Sequence, residues 1–242
     1  MSQDPHGVRA ASSAHTPSSY QGGAFEWRVS EVLFDMDGTL LDSITTIEQA
    51  WAQWGEELGL ELPDPHLLHG RTAADLVGSL VAPEEFEHAF ALLCSIEEHP
   101  TASVPTIPGA ARLLAALPDD RWSIVTSATR PVALARVRAS GQPVPSRLIT
   151  GDDVTHGKPD PEPFRLGRQH PDADRPALAF EDSVAGLVSA RAAGCRTIGV
   201  LGDRPAAALA DYADALVRTL EGIAIEVDDG GLIVRGEGVS AS

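Results

Sequence analysis

The stretch Val32-Leu33-Phe34-Asp35-Met36-Asp37-Gly38-Thr39 decides the fold. Its three apolar residues predict a short buried strand, of the kind found in parallel sheets that are covered on both faces. Two carboxylates follow directly, and Gly38 allows the chain to leave the extended form at this point. The sequence therefore predicts that Asp35 and Asp37 lie at the carboxyl end of a parallel strand, where open α/β sheets bind their ligands.

A regular alternation of strands and helices begins after Pro108. Short apolar runs predict strands at 122–125, 147–150, 177–180, 196–200 and 215–217. Helical patterns predict helices at 110–117, 132–140, 162–170, 184–193 and 205–212. Strands that alternate with helices are joined by right-handed crossovers and form a doubly wound parallel sheet. Two final apolar runs, 223–227 and 232–234, flank Asp-Asp-Gly-Gly and predict a hairpin.

The segment 43–105 differs from the rest because its pattern is helical throughout, with helices predicted at 43–58, 72–81 and 84–97. It interrupts the alternation directly after the first strand. We therefore interpret it as a small α-helical cap inserted into a core that is formed by residues 27–42 and 106–242. Residues 1–26, rich in Ser, Gly and Ala, are interpreted as a disordered tail. The predicted fold is α/β, a doubly wound parallel sheet with an inserted helical cap.

The charge of the chain restricts its partners. Lys and Arg number 18 against 35 Asp and Glu, which gives a formal net charge of −17. Such a surface repels phosphate backbones and anionic headgroups, so we expect neither nucleic acid nor membrane as a partner. The two cysteines, Cys94 and Cys195, have no metal-binding spacing and are interpreted as reduced thiols of a cytoplasmic protein. An anionic ligand therefore needs a local site of metal, basic side chains and backbone N–H groups.

The side chains that follow the predicted strands can together bind a metal and a phosphate. They are Asp35 and Asp37, Ser127, Lys158, Glu181 and Asp182. Carboxylates are ligands that Mg²⁺ prefers, a lysine neutralises phosphate, and a hydroxyl donates to a phosphate oxygen. Because the carboxyl ends of parallel strands meet at one edge of the sheet, we expect these groups to form one site.

Four stretches resemble, in order, the motifs of the haloacid dehalogenase superfamily. They are Asp35-Met36-Asp37-Gly38-Thr39-Leu40, Val125-Thr126-Ser127, Gly157-Lys158-Pro159-Asp160-Pro161 and Phe180-Glu181-Asp182-Ser183. A single Asp-x-Asp is common by chance, but four ordered motifs on predicted strand ends are specific. The resemblance extends over residues 32–217 and implies a Mg²⁺-dependent phosphatase.

The resemblance also implies a role for each group. Asp35 is the expected nucleophile, which becomes phosphorylated, and Asp37 is the expected general acid and base. The expected metal ligands are the side chains of Asp35 and Asp182 and the backbone carbonyl of Asp37. Glu181 is expected either to bind the metal directly or to assist from behind another ligand. Lys158 is expected to bind the phosphate.

The second motif leaves two candidates for its hydroxyl, Thr126 and Ser127. We favour Ser127 because Ser-Ala-Thr-Arg resembles the sugar-phosphate branch of the superfamily. In that branch the residues after the motif serine also reach the phosphate. Thr129 and Arg130 are therefore further candidates for substrate binding.

The position of the predicted cap resembles the helical-cap subclass, and its basic cluster indicates a substrate class. His69-Gly70-Arg71-Thr72 resembles the cap of the glycerol-phosphate and 2-deoxyglucose-phosphate phosphatases. His69, Gly70 and Arg71 are thus substrate-binding candidates, although Arg71 can equally pair with Asp75 one helical turn later. A small sugar or polyol phosphate is the expected substrate, and a monomer or weak homo-oligomer is the expected state.

Other functions remain open at this point. A dehalogenase lacks the second acid of the first motif, so Asp37 argues against it. A β-phosphoglucomutase is similar in three motifs but has a cap histidine where this chain has Ile47. A phosphoglycolate phosphatase is a further alternative. So is a catalytically idle phosphate-binding regulatory protein, which the intact acids and Lys158 disfavour.

Overall fold

The computed structural model describes residues 22–62, 72–99, 103–172 and 174–240. Nine strands form two sheets in these ranges. They are β1 (Gly23–Val29), β2 (Val32–Phe34), β3 (Trp122–Val125), β4 (Leu148–Ile149), β5 (Leu178–Glu181), β6 (Arg196–Val200), β7 (Ala215–Val217), β8 (Ala224–Asp228) and β9 (Gly231–Gly238).

The larger sheet has six strands in the order β4-β3-β2-β5-β6-β7, and every neighbouring pair is parallel. β2 lies between β3 on one side and β5 on the other, so the direction of strand addition reverses at β2. This reversal is the topological switch point at which doubly wound sheets bind ligands. The predicted α/β class with a parallel sheet is confirmed.

The centre of this sheet is buried and apolar. All residues of β2, β3 and β5 are buried. The ring of Phe34 in β2 stacks on Phe180 in β5 at a centroid distance of 5.1 Å, and Trp122 meets Phe34 edge-on at 6.4 Å. Aromatic contacts of this kind add to the stabilisation from burial. The stacking of Phe34 on Phe180 fixes β2 against β5, and each of these rings is followed directly by an acid, Asp35 or Glu181.

Seven α-helices connect these strands in the described ranges. They are α1 (Ile44–Leu58), α2 (Ala73–Leu80), α3 (Phe86–Glu97), α4 (Ala110–Ala115), α5 (Arg130–Ala139), α6 (Glu162–Gly167) and α7 (Val184–Ala192). Within the described residues, no helix is both long enough and apolar enough to cross a membrane.

The helices α1, α2 and α3 have a small hydrophobic core of their own. Trp51 and Trp54 of α1 pack there with Val77 of α2 and Leu93 of α3. The indole of Trp54 also donates to the backbone oxygen of Ala89 at 2.7 Å. A separate core is what an inserted cap requires, because its helices must bury their apolar faces against one another. The predicted limits of the cap, 43–105, stay a prediction.

Two expectations differ from the structure. β1 begins at Gly23, so the tail predicted for residues 1–26 ends at least four residues too late. β1 is ordered by antiparallel pairing with β9, which local sequence does not reveal. The helix expected at 205–212 contains only a 3₁₀ turn, Ala206–Ala208, whose backbone bonds close at i+3. The predicted hairpin is present as β8 and β9.

Candidate active site

The turn after β2 brings the first two acids out of the sheet. Asp35 is still tied to the sheet, because its backbone N–H donates to the oxygen of Phe180 at 2.9 Å. The chain then turns at Gly38, whose φ of +83° lies in the region that glycine favours. A Cβ atom at Gly38 would also lie 2.4 Å from Oδ2 of Asp182. Glycine is therefore required twice, for the turn and for the close approach of a carboxylate.

Lys158, the only lysine in the sequence, joins three strands at the centre of the site. It is 4% exposed, and its Nζ donates to Asp35 Oδ1 at 2.7 Å, Glu181 Oε1 at 2.7 Å and the oxygen of Val125 at 3.0 Å. These bonds use all three donors of an ammonium group. Although burial disfavours the charge, Asp35 and Glu181 raise the pKa of Lys158, so it stays protonated.

Asp35, Glu181 and Asp182 form a buried acidic cluster, with one oxygen from each within 4.8 Å of the others. Burial raises the pKa of Asp35 well above its usual value, against the opposing effect of Lys158. Burial and the charge of Glu181 raise the pKa of Asp182 to about 7, although Arg204 donates to its Oδ2 at 3.1 Å. The cluster thus holds more negative charge than its cations offset.

A divalent cation fits this donor set. Hard oxygen ligands are the ones that Mg²⁺ prefers, and a cation would relieve the repulsion among the acids. Both oxygens of Glu181 already have partners, Lys158 on one side and the backbone N–H and hydroxyl of Ser183 on the other, at 2.7 and 2.9 Å. Asp35 and Asp182, next to the gap left by Gly38, are therefore better placed than Glu181 to bind a metal directly.

Asp37 lies in a second network that sequence reasoning missed. Its Oδ1 accepts from the hydroxyl of Ser43, and its Oδ2 accepts from Arg136 Nη1 at 2.9 Å. Arg136 Nη2 donates in turn to Glu97 Oε1 at 2.7 Å. Burial raises the pKa of Glu97 in spite of Arg136, whereas Asp37 and Glu97 raise the pKa of Arg136 against the effect of burial. The sequence does carry one indication that Arg136 is buried: it lies on the same face of α5 as the apolar residues Val132, Ala133 and Val137.

A cavity lies between the helices α2 and α3 and the loops that follow β3 and β4. It is lined by Thr72 and Phe90 on the cap side and by Ser127, Thr129 and Gly157 on the core side, among others. Thr126 is instead buried at 3% exposure, and its hydroxyl accepts from the N–H of Ala128 at 3.1 Å. Ser127 and Thr129 thus line this cavity, and their binding of the substrate stays a prediction, while the hydroxyl of Thr126 stabilises the turn.

Arg130 is not brought to this site. Its Nη2 pairs with both oxygens of Asp153, at 2.8 and 2.6 Å, and it lines a different cavity with Leu134 and Val144. The structure therefore does not bring Arg130 to the acidic cluster, and its binding of the substrate stays a prediction. His69, Gly70 and Arg71 lie outside the described residues.

Comparison with known proteins agrees with this geometry. The model of the haloacid dehalogenase-like hydrolase family matches residues 32–200. Hexitol phosphatase A of Escherichia coli is 34% identical over 218 residues, which cover 86% of this chain and 99% of that protein. Glycerol-1-phosphate phosphohydrolase 2 of Saccharomyces cerevisiae is 32% identical over 72% of this chain and 75% of that protein.

The fold is similar to that of solved structures as well. A hydrolase from Pseudomonas syringae has a TM-score of 0.66 and 23% identity, over 79% of this chain and 94% of that chain. The matched residues 32–200 run from β2 to the end of β6 and include the acidic cluster, Lys158 and the cap helices. This chain belongs to the haloacid dehalogenase-like hydrolase family.

Proposed function

We propose that the protein is a Mg²⁺-dependent phosphatase that hydrolyses a small sugar or polyol phosphate through a phosphorylated Asp35. The observation that carries this proposal is the contact of Lys158 with both Asp35 and Glu181, beside Asp182. A buried ammonium group next to a carboxylate and an acidic cluster suits a phosphoryl group, which needs charge neutralisation on its oxygens.

The chemistry follows from the groups in place. A bound Mg²⁺ would be held by Asp35, Asp182 and the carbonyl of Asp37, and it would supply charge neutralisation at the phosphate. An oxygen of Asp35 attacks phosphorus and the bond from phosphorus to the substrate oxygen breaks. Asp37 gives its proton to the departing alkoxide. The charge of Lys158 neutralises the phosphate during transfer, the hydroxyl of Ser127 donates to a phosphate oxygen, and Glu181 keeps Lys158 in position.

The second half of the reaction restores the enzyme. Asp37, now deprotonated, accepts a proton from water, and the water oxygen attacks the phosphorus of the acyl phosphate on Asp35. The bond from phosphorus to Asp35 breaks, inorganic phosphate leaves, and Asp37 is protonated for the next substrate. The proton that Asp37 takes from water replaces the one that it gave to the leaving alcohol in the first step.

Two relatives support the substrate class. Hexitol phosphatase A and glycerol-1-phosphate phosphohydrolase 2 are named for polyol phosphates, and they match this chain over most of its length. Ile47, at the position of the mutase histidine, is buried among the cap helices, which argues against a mutase. We therefore propose a polyol or sugar phosphate ahead of phosphoglycolate.

A substrate panel tests this function. Phosphate release is measured with Mg²⁺ on hexitol, glycerol, deoxyhexose and glycolate phosphates, and on p-nitrophenyl phosphate. We expect the highest kcat/KM on a polyol or sugar phosphate and no release after chelation of Mg²⁺. A higher kcat/KM on glycolate phosphate would contradict the proposed substrate class and would favour a phosphoglycolate phosphatase. No release from any ester with Mg²⁺ present would favour an idle phosphate-binding protein.

A further inference from the structure

Arg136 is a buried charge that none of the steps above uses. It lies on α5 with a side chain that is 4% exposed. One of its two terminal nitrogens donates to Asp37, which follows β2, and the other donates to Glu97, the last residue of α3. The guanidinium thus connects the expected general acid and base to a helix of the predicted cap.

Stability alone does not account for this arrangement. Burying a guanidinium and two carboxylates costs several kcal/mol, and replacing such groups with apolar side chains is often neutral or stabilising. The Nε of Arg136 is buried without a hydrogen-bond partner among the described residues, which adds a further cost. The position of Arg136 is therefore better explained by what its terminal nitrogens hold than by its contribution to packing.

What they hold is the orientation of Asp37. Arg136 takes one carboxylate oxygen of Asp37 and the hydroxyl of Ser43 takes the other. Two donors on two oxygens fix both the position and the rotation of a carboxylate. Proton transfer needs this, because an acid acts only when its oxygen comes within hydrogen-bond distance of the leaving oxygen.

We propose that Arg136 is a positioning residue, which holds Asp37 for proton transfer and is itself held by Glu97. The inference rests on the proposed phosphatase function. Because Glu97 ends α3 and Arg136 lies on α5, the grip on Asp37 is complete only when α3 packs against the core. Proton transfer is thereby linked to the position of the cap.

The leaving group separates this role from a structural one. An alcohol leaves poorly as an alkoxide and needs a proton, whereas p-nitrophenol is acidic enough to leave without one. The ratio kcat/KM reports the steps up to departure of the leaving group, so hydrolysis of the acyl phosphate does not affect it. A loss of positioning at Asp37 must therefore lower kcat/KM for a polyol phosphate far more than for p-nitrophenyl phosphate.

The experiment compares Arg136→Met with wild type on the best polyol phosphate and on p-nitrophenyl phosphate. We expect kcat/KM to fall about 100-fold on the polyol phosphate, the usual size of a general-acid contribution, and less than about 5-fold on the aryl ester. Arg138→Met is the matched control, since Arg138 is an exposed arginine on the same helix. It should leave both values within about two-fold of wild type.

The outcomes separate the two proposals. Wild type that releases phosphate from neither ester contradicts the proposed function before any variant is compared. Wild type that hydrolyses both, with equal losses or no loss in Arg136→Met, overturns the role of Arg136 alone.

A second variant covers a failure of Arg136→Met to fold. Arg136→Lys keeps the charge but cannot hold Asp37 and Glu97 in the same forked geometry. We expect the aryl-to-polyol ratio of kcat/KM to rise at least about three-fold, because a lysine cannot contact Asp37 and Glu97 at the same time in the geometry of Arg136. An unchanged ratio in folded Arg136→Lys overturns the proposal.

Discussion

Two regions of the molecule are built differently: the core side is the charge network at the carboxyl ends of β2 and β5, and the predicted cap side is the face of α2 and α3 that lines a cavity. On the core side, Asp35, Lys158 and Glu181 are nearly inaccessible to solvent and are held by short hydrogen bonds. On the cap side, Thr72 and Phe90 are half-buried and line an open cavity. A rigid, buried charge network suits the chemical step, which requires preorganised groups. A partly exposed surface suits substrate selection, because substitutions there can alter which substrate binds without disturbing the catalytic groups. Damage to the core side should therefore lower turnover, and damage to the cap side should alter preference.

The largest effect is expected from Lys158→Met on the core side. Removing the ammonium group leaves Asp35 and Glu181 buried without their shared cation. We expect the free energy of unfolding to fall by about 3 kcal/mol, the usual cost of an uncompensated buried charge. We also expect kcat/KM to fall about 1,000-fold on both polyol and aryl esters. Urea unfolding and phosphate release measure the two effects.

A Lys158→Met variant as stable as wild type would contradict this prediction, because it would mean that the charge of Lys158 is not needed to bury Asp35 and Glu181.

An intermediate effect is expected from Gly38→Ala, at the edge of the acidic cluster. The new Cβ would come within 2.4 Å of Asp182 Oδ2, so Asp182 must move. We expect the Mg²⁺ concentration for half-maximal activity to rise about 10-fold, as found when the support of a metal ligand is lost. Phosphate release at increasing Mg²⁺ measures it.

Gly59→Ala is the matched control for Gly38→Ala. Gly59 also has a positive φ, +65°, but a Cβ there would meet nothing within 4 Å. Both variants should lose about 1 kcal/mol of stability from backbone strain. Equal Mg²⁺ requirements in the two would show that the contact with Asp182 has no influence on metal binding.

The smallest effect is expected from Arg71→Ala in the predicted cap. If the basic cluster binds the polyol, KM should rise about 5-fold on the best polyol phosphate, as for the loss of one exposed charged contact. The KM for p-nitrophenyl phosphate should not change, because that ester lacks the hydroxyl groups. Equal changes for the two esters would assign Arg71 to the pairing with Asp75 instead.

The sequence predicted the central site because its signals are local. Strands 122–125, 196–200 and 215–217 have the predicted bounds, and two of them, 122–125 and 215–217, are short runs followed at once by a polar residue. The rule that parallel strands share a carboxyl edge then brings together Asp35, Lys158 and the two acids at the end of β5, Glu181 and Asp182. No tertiary detail was needed for that step.

What could not be predicted depends on contacts between distant parts of the chain. β1 is a strand because it pairs with β9, about 200 residues away. The pairing of Arg130 with Asp153 depends on the turn after β4, which no pattern near residue 130 indicates. Arg136 and Glu97 meet only when α3 lies against α5, so no local pattern could reveal their link to Asp37.

The most direct test of the central claim is chemical trapping at Asp35. In Asp37→Asn, p-nitrophenol can still leave, but water is no longer activated, so an acyl phosphate should accumulate. Borohydride reduces an acyl phosphate to an alcohol, and peptide mass spectrometry locates the change. We predict a stoichiometric burst of p-nitrophenol and homoserine at position 35, with neither in Asp35→Asn/Asp37→Asn. A burst that leaves position 35 unmodified, or that modifies another residue, would contradict the account.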